Sequence, residues 1–202
     1  MILIRFVIFS MLLIIYGCAL KPPVAVPENN WQQQQQQLYS IDQWQVEGRI
    51  GVKTIDQGFT ANLNWQHQPD NQQLRIYGSF GKTYAEINQN ADFAILKISA
   101  DETYQSTDIE SLVHKVLGYS LPVDQLEYWI MGLPAPGNDS ALTFDKLGYP
   151  ETMNYQQWKV SYNNYQRFGT FGDHYLPTKI TLTDGEVTLK LSLRNWSMDI
   201  AL

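Results

Sequence analysis

The sequence predicts an α+β fold in which one pair of helices interrupts a curved, mostly antiparallel sheet. Three observations support this prediction. Apolar and polar residues alternate over most of 44–105, the segment 107–131 has helical spacing instead, and alternation returns after residue 142. The chain has 202 residues, a length that suits one sizeable domain.

The first residues have the features of a signal peptide. Arg5 precedes an apolar run, residues 6–16, of about eleven residues, within the range of roughly 7–15 for a signal-peptide core. A membrane-spanning helix needs about 20 apolar residues, so an uncleaved anchor is the weaker alternative. The run ends in Ile15-Tyr16-Gly17-Cys18, which resembles the lipobox of bacterial lipoproteins, although Tyr16 departs from the usual small or aliphatic residue.

Cys18 is the only cysteine in the chain. A lone thiol cannot form an internal disulfide, so we expect cleavage after residue 17 and lipidation of Cys18; a free thiol is the alternative. The proline-containing segment 18–30 is then an extended tether, and 31–202 is a single domain. Ala19 follows the cysteine, which by the sorting rule of enterobacteria-like lipoproteins favours the outer membrane, with the domain anchored on its periplasmic face.

The charge of the chain is acidic. Cleavage removes one charged side chain, Arg5, so that the net charge of −6 becomes −7. A negative balance argues against nucleic acid or an anionic membrane surface as an electrostatic partner.

The segment 31–105 is predicted to form one helix followed by six strands. Asn30 is a good N-cap for a Gln-rich helix over 31–39, with Trp31 and Leu38 docked on the domain body. Period-two alternation then predicts strands over 44–53, 59–66, 74–77, 83–87, 93–98 and 103–105.

The middle of the chain is predicted to be helical. Thr107 and Glu110 have the spacing of a capping box, and the helix that follows ends before Gly118. A second helix is predicted over 122–131, with Gly132 at its end.

The remainder returns to strands, predicted over 142–147, 157–162, 179–183 and 187–196. Asp184-Gly185 is a strong hairpin signal between the last two strands. The Gly- and Tyr-rich stretch 163–176 is expected to be a long mobile connection.

The residues give little sign of catalysis. His67, His114 and His174 are widely spaced, and none has a partner at metal-ligand spacing. The carboxylates are scattered, and the motifs of nucleophilic or phosphate chemistry are missing from the sequence. We therefore expect no enzyme, no metal site and no cofactor.

Phe80 stands out among the turn residues. It lies between Gly78-Ser79 and Gly81 in a predicted strand-turn-strand, where an exposed bulky apolar residue gains nothing from folding. Such a residue at a loop tip often meets an apolar partner. Two interpretations remain open on the residues alone: Phe80 meets a partner outside the domain, or it folds back over the rim of the sheet.

Several segments of this chain, in this order, resemble one known family. They are Trp44-Gln-Val-Glu-Gly-Arg-Ile50, Asn64-Trp65-Gln66, Gly78-Ser79-Phe80-Gly81, Tyr128-Trp-Ile-Met-Gly-Leu-Pro134, Leu182-Thr-Asp-Gly185 and Leu193-Arg-Asn-Trp196. Together with the lipobox and tether they are similar to the LolB family of outer-membrane lipoprotein receptors, over nearly the whole mature chain.

The resemblance implies a half-closed antiparallel barrel with helices over its open side and an apolar cavity inside. It implies a monomeric receptor that takes the acyl chains of lipoproteins from a LolA-like periplasmic carrier and inserts them into the outer membrane. It also implies an insertion loop, usually tipped by Leu, whose position Phe80 occupies here.

Two further questions stay open on the residues. Four tryptophans, Trp44, Trp65, Trp129 and Trp196, are candidates for the cavity wall, with ordinary core packing as the alternative. The alternative functions are a lipoprotein that binds an apolar ligand without passing it on, and a structural subunit of the envelope.

Overall fold

The computed structural model describes residues 28–99, 101–168 and 174–199. Cys18, the predicted signal peptide and most of the predicted tether lie outside the described residues. Within them are three helices, α1 (Trp31–Tyr39), α2 (Ile109–Leu117) and α3 (Val123–Trp129). The eleven strands described are β1 (Gln43–Lys53), β2 (Gly58–Gln68), β3 (Asn71–Tyr77), β4 (Thr83–Asn90), β5 (Ala94–Lys97), β6 (Thr103–Ser106), β7 (Ala141–Phe144), β8 (Pro150–Tyr155), β9 (Trp158–Phe168), β10 (His174–Thr183) and β11 (Thr188–Asp199).

All of these strands belong to one sheet, in the order β6-β5-β4-β3-β2-β1-β11-β10-β9-β8-β7. Every neighbouring pair is antiparallel. The first and last strands, β1 and β11, meet in the middle, and β6 and β7 form the two edges. The sheet is curved but does not close, because these two edges are not paired with each other in the described structure. The predicted fold class is confirmed.

The helices join the two edges of the sheet. β6 ends at residue 106 on one edge and β7 begins at residue 141 on the other, so α2, α3 and the loop after them must cross between the edges. Leu112 and Val113 of α2 pack on Ile87 and Leu96 of the sheet. This places the helices over the open side of the half-closed barrel, as predicted.

The inner face of the sheet follows from the alternation in the sequence. Trp44 and Val46 of β1 and Leu63 and Trp65 of β2 are buried, while their neighbours along each strand are more exposed. In the antiparallel register Val46 faces Trp65, so the apolar side chains of the two strands share the inner face. We use the term inner face for this side of the sheet, on which the helices lie.

Helix α1 forms as predicted. The side chain of Asn30 accepts a hydrogen bond from the backbone N–H of Gln33 (3.4 Å), which caps the helix. Leu38 is fully buried, and the ring of Trp31 lies 5.7 Å from that of Phe144. The Gln-rich segment is therefore a helix docked on the body of the domain.

The cap of α2 differs from the prediction. The N-cap is Asp108 and not Thr107: its two carboxylate oxygens accept hydrogen bonds from the backbone N–H groups of Glu110 (3.1 Å) and Ser111 (2.9 Å). An ionised carboxylate satisfies two free amides and complements the helix dipole, which a threonine hydroxyl does less well. The predicted end is confirmed, with Gly118 at φ 77°.

The prediction of a long connection over 163–176 is wrong for most of its length. Strand β9 continues to Phe168, and β10 begins at His174. Asn163 and Asn164 interrupt the alternation in the sequence, and Asn164 adopts φ 55°. The strand nevertheless stays paired with β10 on both sides of this point, because the inner face buries Tyr162 and Tyr165 there.

Other boundaries also differ. The prediction for 142–147 was too long, because β7 ends at Phe144 and the chain turns at Gly148, whose φ is 81°. A strand not predicted, β8, then pairs with β9. Helix α3 is shorter than the predicted 122–131 and ends at Trp129. None of the helices in the described part of the chain is long and apolar enough to cross a membrane.

Candidate functional site

The strand register sets which turns lie together. The pairs Lys53–Gly58, Lys53–Thr188 and Asn62–Tyr77 place three turns at the same end of the sheet. We call this end, with the turns 54–57, 78–82 and 184–187, the Phe80 end. The turns 69–70 and 91–93 lie at the opposite end.

Phe80 projects from the turn between β3 and β4. Its exposed fraction is 102% of the reference value, so it does not fold back over the rim of the sheet. The turn beneath it is closed by hydrogen bonds from the N–H of Gly78 to the C=O of Lys82 (2.8 Å) and from the N–H of Gly81 to the C=O of Gly78 (3.0 Å). The apolar side chain is therefore held out in solvent by an ordered turn. Ser79 beside it is also exposed.

A side chain would have a different effect at each of the two glycines of this turn. A Cβ atom on Gly78 would lie 2.8 Å from Cζ of Tyr84, so the backbone comes closer to this ring than a side chain would allow. Gly81 has open space around it but adopts φ 79°, a left-handed conformation that costs other residues energy. The shape of the turn that presents Phe80 thus requires glycine at position 81, whereas a side chain at position 78 would displace the exposed ring of Tyr84.

A small apolar cavity lies on the inner face at the Phe80 end, between the sheet and the end of α2 with the segment that follows it. Its volume is about 150 Å³. Its apolar lining comprises Val52, Phe59, Val116, Tyr119, Leu121 and Val187. Phe59 is about half exposed, which places it at the mouth. The apolar interior of the half-barrel therefore opens at the end that carries Phe80.

The four candidate tryptophans are all buried. Three of them form one group: the ring of Trp44 lies 5.2 Å from that of Trp65 and 5.5 Å from that of Trp196. Trp129 lies apart from this group, at the end of α3, with its ring 5.9 Å from Tyr155 of β8. In this structure all four belong to the packed core; contact of any of them with an acyl chain stays a prediction.

The opposite end of the inner face is polar. The indole N–H of Trp65 donates to Oε1 of Gln72 (3.0 Å), whose Nε2 donates in turn to Oε1 of Gln89 (2.7 Å). Nearby, Nδ1 of His67 lies 3.4 Å from Oε2 of Glu127. The void at this end, about 350 Å³, is lined mainly by polar side chains. The inner face at this end is therefore polar on β3, β4 and the turn between β2 and β3, beside the buried group of Trp44, Trp65 and Trp196.

Burial shifts the pKa values of His67 and Glu127. Removal from water disfavours the charged form of each group. It raises the pKa of Glu127 to about 7, and it lowers the pKa of His67. The sequence does not indicate this pair, because Glu127 lies on another element far along the chain from His67. In the part of the chain that the structure describes, no three His, Cys, Asp or Glu side chains group as metal ligands.

Comparison with known proteins identifies the family. The family model described as "Outer membrane lipoprotein LolB" matches residues 42–196. The Outer-membrane lipoprotein LolB of Cellvibrio japonicus is 32% identical over 91% of this chain and 91% of its own length. That of Pseudomonas fluorescens is 28% identical over 97% of each chain.

A solved structure supports the fold. A LolA superfamily protein from Nitrosomonas europaea superposes with a TM-score of 0.51 at 10% identity, covering 88% of this chain and 96% of that one. At this identity the likeness concerns the fold alone. The names of the sequence relatives confirm the predicted outer-membrane localisation and lipoprotein class. The chain belongs to the LolB family of outer-membrane lipoproteins, which serves lipoprotein localisation.

Proposed function

We propose that this protein accepts lipoproteins from a LolA-like periplasmic carrier, holds their acyl chains on its inner face and inserts them into the outer membrane. One observation carries the proposal: the apolar part of the inner face opens at the same end of the sheet at which Phe80 is fully exposed. A binding site and an apolar tip on one end suit a protein that both holds an acyl chain and delivers it to a bilayer.

The energetics of acyl chains support a receptor that works by graded affinity. Each buried methylene contributes about 0.8 kcal/mol, so a lipoprotein with three acyl chains does not escape into water at a useful rate. Transfer needs no ATP at this step when the receptor binds the chains more tightly than the carrier and the bilayer binds them more tightly still.

The size of the cavity implies that the protein opens to bind. A volume of about 150 Å³ is smaller than the roughly 300–1,000 Å³ of ordinary ligand pockets. We therefore infer that α2 and the segment after it move away from the sheet when cargo enters. The side chains that separate would include Val116 and Leu121 on the helical side and Val52 and Phe59 on the sheet.

The lipid anchor belongs to the same proposal. Cleavage before Cys18 and lipidation of its thiol would hold the domain at the outer membrane through the tether 18–30, within reach of both carrier and bilayer. The acidic net charge argues against attachment by anionic lipid headgroups.

Depletion of the protein in its host separates the proposal from its main alternative, a lipoprotein that binds an apolar ligand without passing it on. We expect depletion to leave newly made lipoproteins bound to the carrier in the periplasm, as measured by immunoprecipitation of the carrier. Normal sorting of lipoproteins after depletion would contradict the transfer function. In that case the binding-only and the structural alternatives would both stand.

A further inference from the structure

A second apolar side chain projects from the domain. Ile55 lies in the turn between β1 and β2, and its exposed fraction is 87%. The turn is ordered, because the N–H of Thr54 donates to the C=O of Gln57 (2.8 Å) and the N–H of Gln57 donates to Oγ1 of Thr54 (3.2 Å). Isoleucine is suited to strands and buried positions, and not to turn tips. Its placement here gives no stability to the fold.

Ile55 and Phe80 lie at the same end of the sheet. Their two hairpins, β1–β2 and β3–β4, are neighbours. The centres of the two turns are two strand spacings apart across the sheet, which corresponds to about 10 Å. Among the large apolar side chains of the described residues, these two are by far the most exposed. Phe59, at the mouth of the apolar cavity, lies on the β2 arm of the Ile55 hairpin.

The surroundings of the two tips favour a lipid bilayer as the partner. Polar residues, among them Gln57 and Ser79, flank the tips, so the apolar surface is not the continuous patch that forms the core of a protein interface. Separate apolar tips on a polar rim can each enter the headgroup region of a bilayer, which accepts side chains to a depth of roughly 5–10 Å.

Charge at this end does not favour anionic lipids. The exposed cations Lys53 and Lys82 are balanced by the exposed acids Asp56 and Glu186. Attraction to the bilayer would thus come from the apolar tips, and it should be insensitive to salt.

We propose that the β1–β2 turn is a second membrane contact, in which Ile55 enters the periplasm-facing leaflet of the outer membrane beside Phe80. The inference rests on the proposed function and adds a second contact to it. A second contact restricts the rotation of the domain on the membrane, which a single tip leaves free about every axis. In this orientation the mouth of the cavity at Phe59 faces the bilayer.

The test measures which positions enter the membrane. Cys18 is the only native cysteine, and its proposed thioether leaves an introduced thiol as the single reactive one. The variants Ile55→Cys, Phe80→Cys and Leu147→Cys of the full lipidated protein are labelled with an environment-sensitive fluorophore and reconstituted in phosphatidylcholine vesicles that contain spin-labelled quencher lipid. Leu147 is the control at the opposite end: it lies in the turn between β7 and β8, it is 39% exposed, and its C=O accepts a hydrogen bond from the N–H of Asn29 at the end of the tether.

We expect quenching by the membrane at positions 55 and 80, at low and high salt alike, and none at position 147. Equal signals at positions 55 and 147 would overturn the inference, even with quenching at position 80. Quenching at 55 but not at 80 would leave the second contact in place and remove the assigned role of Phe80, so the two failures are distinguishable.

A functional measurement complements the labelling. We expect Ile55→Ser to lower the yield of cargo inserted into vesicles by about fivefold, since it removes apolar contact with the bilayer. The control variant Leu147→Ser should insert cargo normally. Insertion by Ile55→Ser at the level of the Leu147→Ser control would contradict the second contact.

Discussion

Nδ1 of His67 on β2 lies 3.4 Å from Oε2 of Glu127 on α3. The two side chains are mostly buried, and the imidazole of His67 is stacked on the ring of Trp44 at 5.1 Å. This contact connects the helical cover to the sheet at the polar end of the inner face. The helices α2 and α3 are therefore held on the sheet by polar contacts at the His67 end and by apolar packing at the Phe80 end.

The stability of the protein should depend on the protonation of Glu127. Burial raises its pKa from 4.5 to about 7, so between these values the folded state binds more protons than the unfolded chain. The free energy of unfolding therefore falls as pH rises from about 4.5 to about 7, and this loss is complete above that range. The variant Glu127→Gln cannot ionise, and we expect it to gain stability relative to the parent as pH rises.

Urea unfolding of both proteins at about pH 5 and about pH 8 measures the difference. The lowered pKa of His67 acts in the opposite direction, because stability is lost as pH falls below the ordinary value of 6.5. Because His67 contacts residue 127, the comparison is repeated in a His67→Gln background, in which only residue 127 can change the pH dependence. An equal pH dependence of the two proteins would show that Glu127 ionises freely in the fold.

The exposed ring of Phe80 is expected to act after cargo has been received. In Phe80→Glu a charge replaces the apolar tip, which makes entry into the bilayer unfavourable. We expect this variant to accept cargo from the carrier at a normal rate but to insert about tenfold less of it into vesicles, an effect near 1.4 kcal/mol. Phe80→Leu is the matched control and should insert cargo normally. Normal insertion by Phe80→Glu would remove the role assigned to this turn.

Gly81 offers a test of the turn that presents Phe80. Its φ of 79° is accessible to asparagine at a lower cost than to alanine. With open space around Gly81, we expect Gly81→Ala to lower the free energy of unfolding by about 1 kcal/mol, and Gly81→Asn to lower it by less. Chemical denaturation gives both values. Equal stability of Gly81→Ala and the parent would mean that the turn changes its backbone conformation at no cost.

The need for the lipid anchor can be measured separately. The proposed binding face and the Phe80 turn both lie in the folded domain, so the anchor serves to keep the receptor near its membrane. We expect a variant with Cys18→Ser, exported to the periplasm behind a cleavable signal peptide of the non-lipoprotein type, to retain part of the transfer activity in a carrier-to-vesicle assay. Complete loss of transfer with a correctly folded domain would make the anchor part of the mechanism.

Much of the fold was predictable because one face of the sheet is buried. Alternation then appears directly in the sequence, as at Trp44 and Val46 of β1. The alternation is interrupted at the adjacent polar residues Asn163 and Asn164, so the strand there was not predicted. Pairing with β10 on both sides of these residues maintains it. The prediction also failed at the cap of α2, because Thr107 and Asp108 are both good N-cap residues and only the helix geometry selects between them.

The candidate site was less predictable. The glycines around Phe80 predicted a turn but left open whether the ring folds back over the sheet, and the structure shows the ring exposed. The exposure of Ile55, the position of the cavity and the contact of His67 with Glu127 depend on which turns and helices meet across the sheet. That arrangement follows from strand register and from the crossing of the helices between the two edges, which local patterns do not specify.

The entry of acyl chains into the inner face is tested most directly by photo-crosslinking during transfer. Cargo lipoprotein that carries a photoactivatable group in its acyl chains is passed from the carrier to this protein, irradiated before vesicles are added, and the crosslinked residues are identified by mass spectrometry. We expect crosslinks to the inner face at the Phe80 end, at Val52, Phe59, Val116 or Leu121. Crosslinks confined to the outer face, for example to Gln73 and Asn88, or none to the receptor at all, would contradict the proposed binding site.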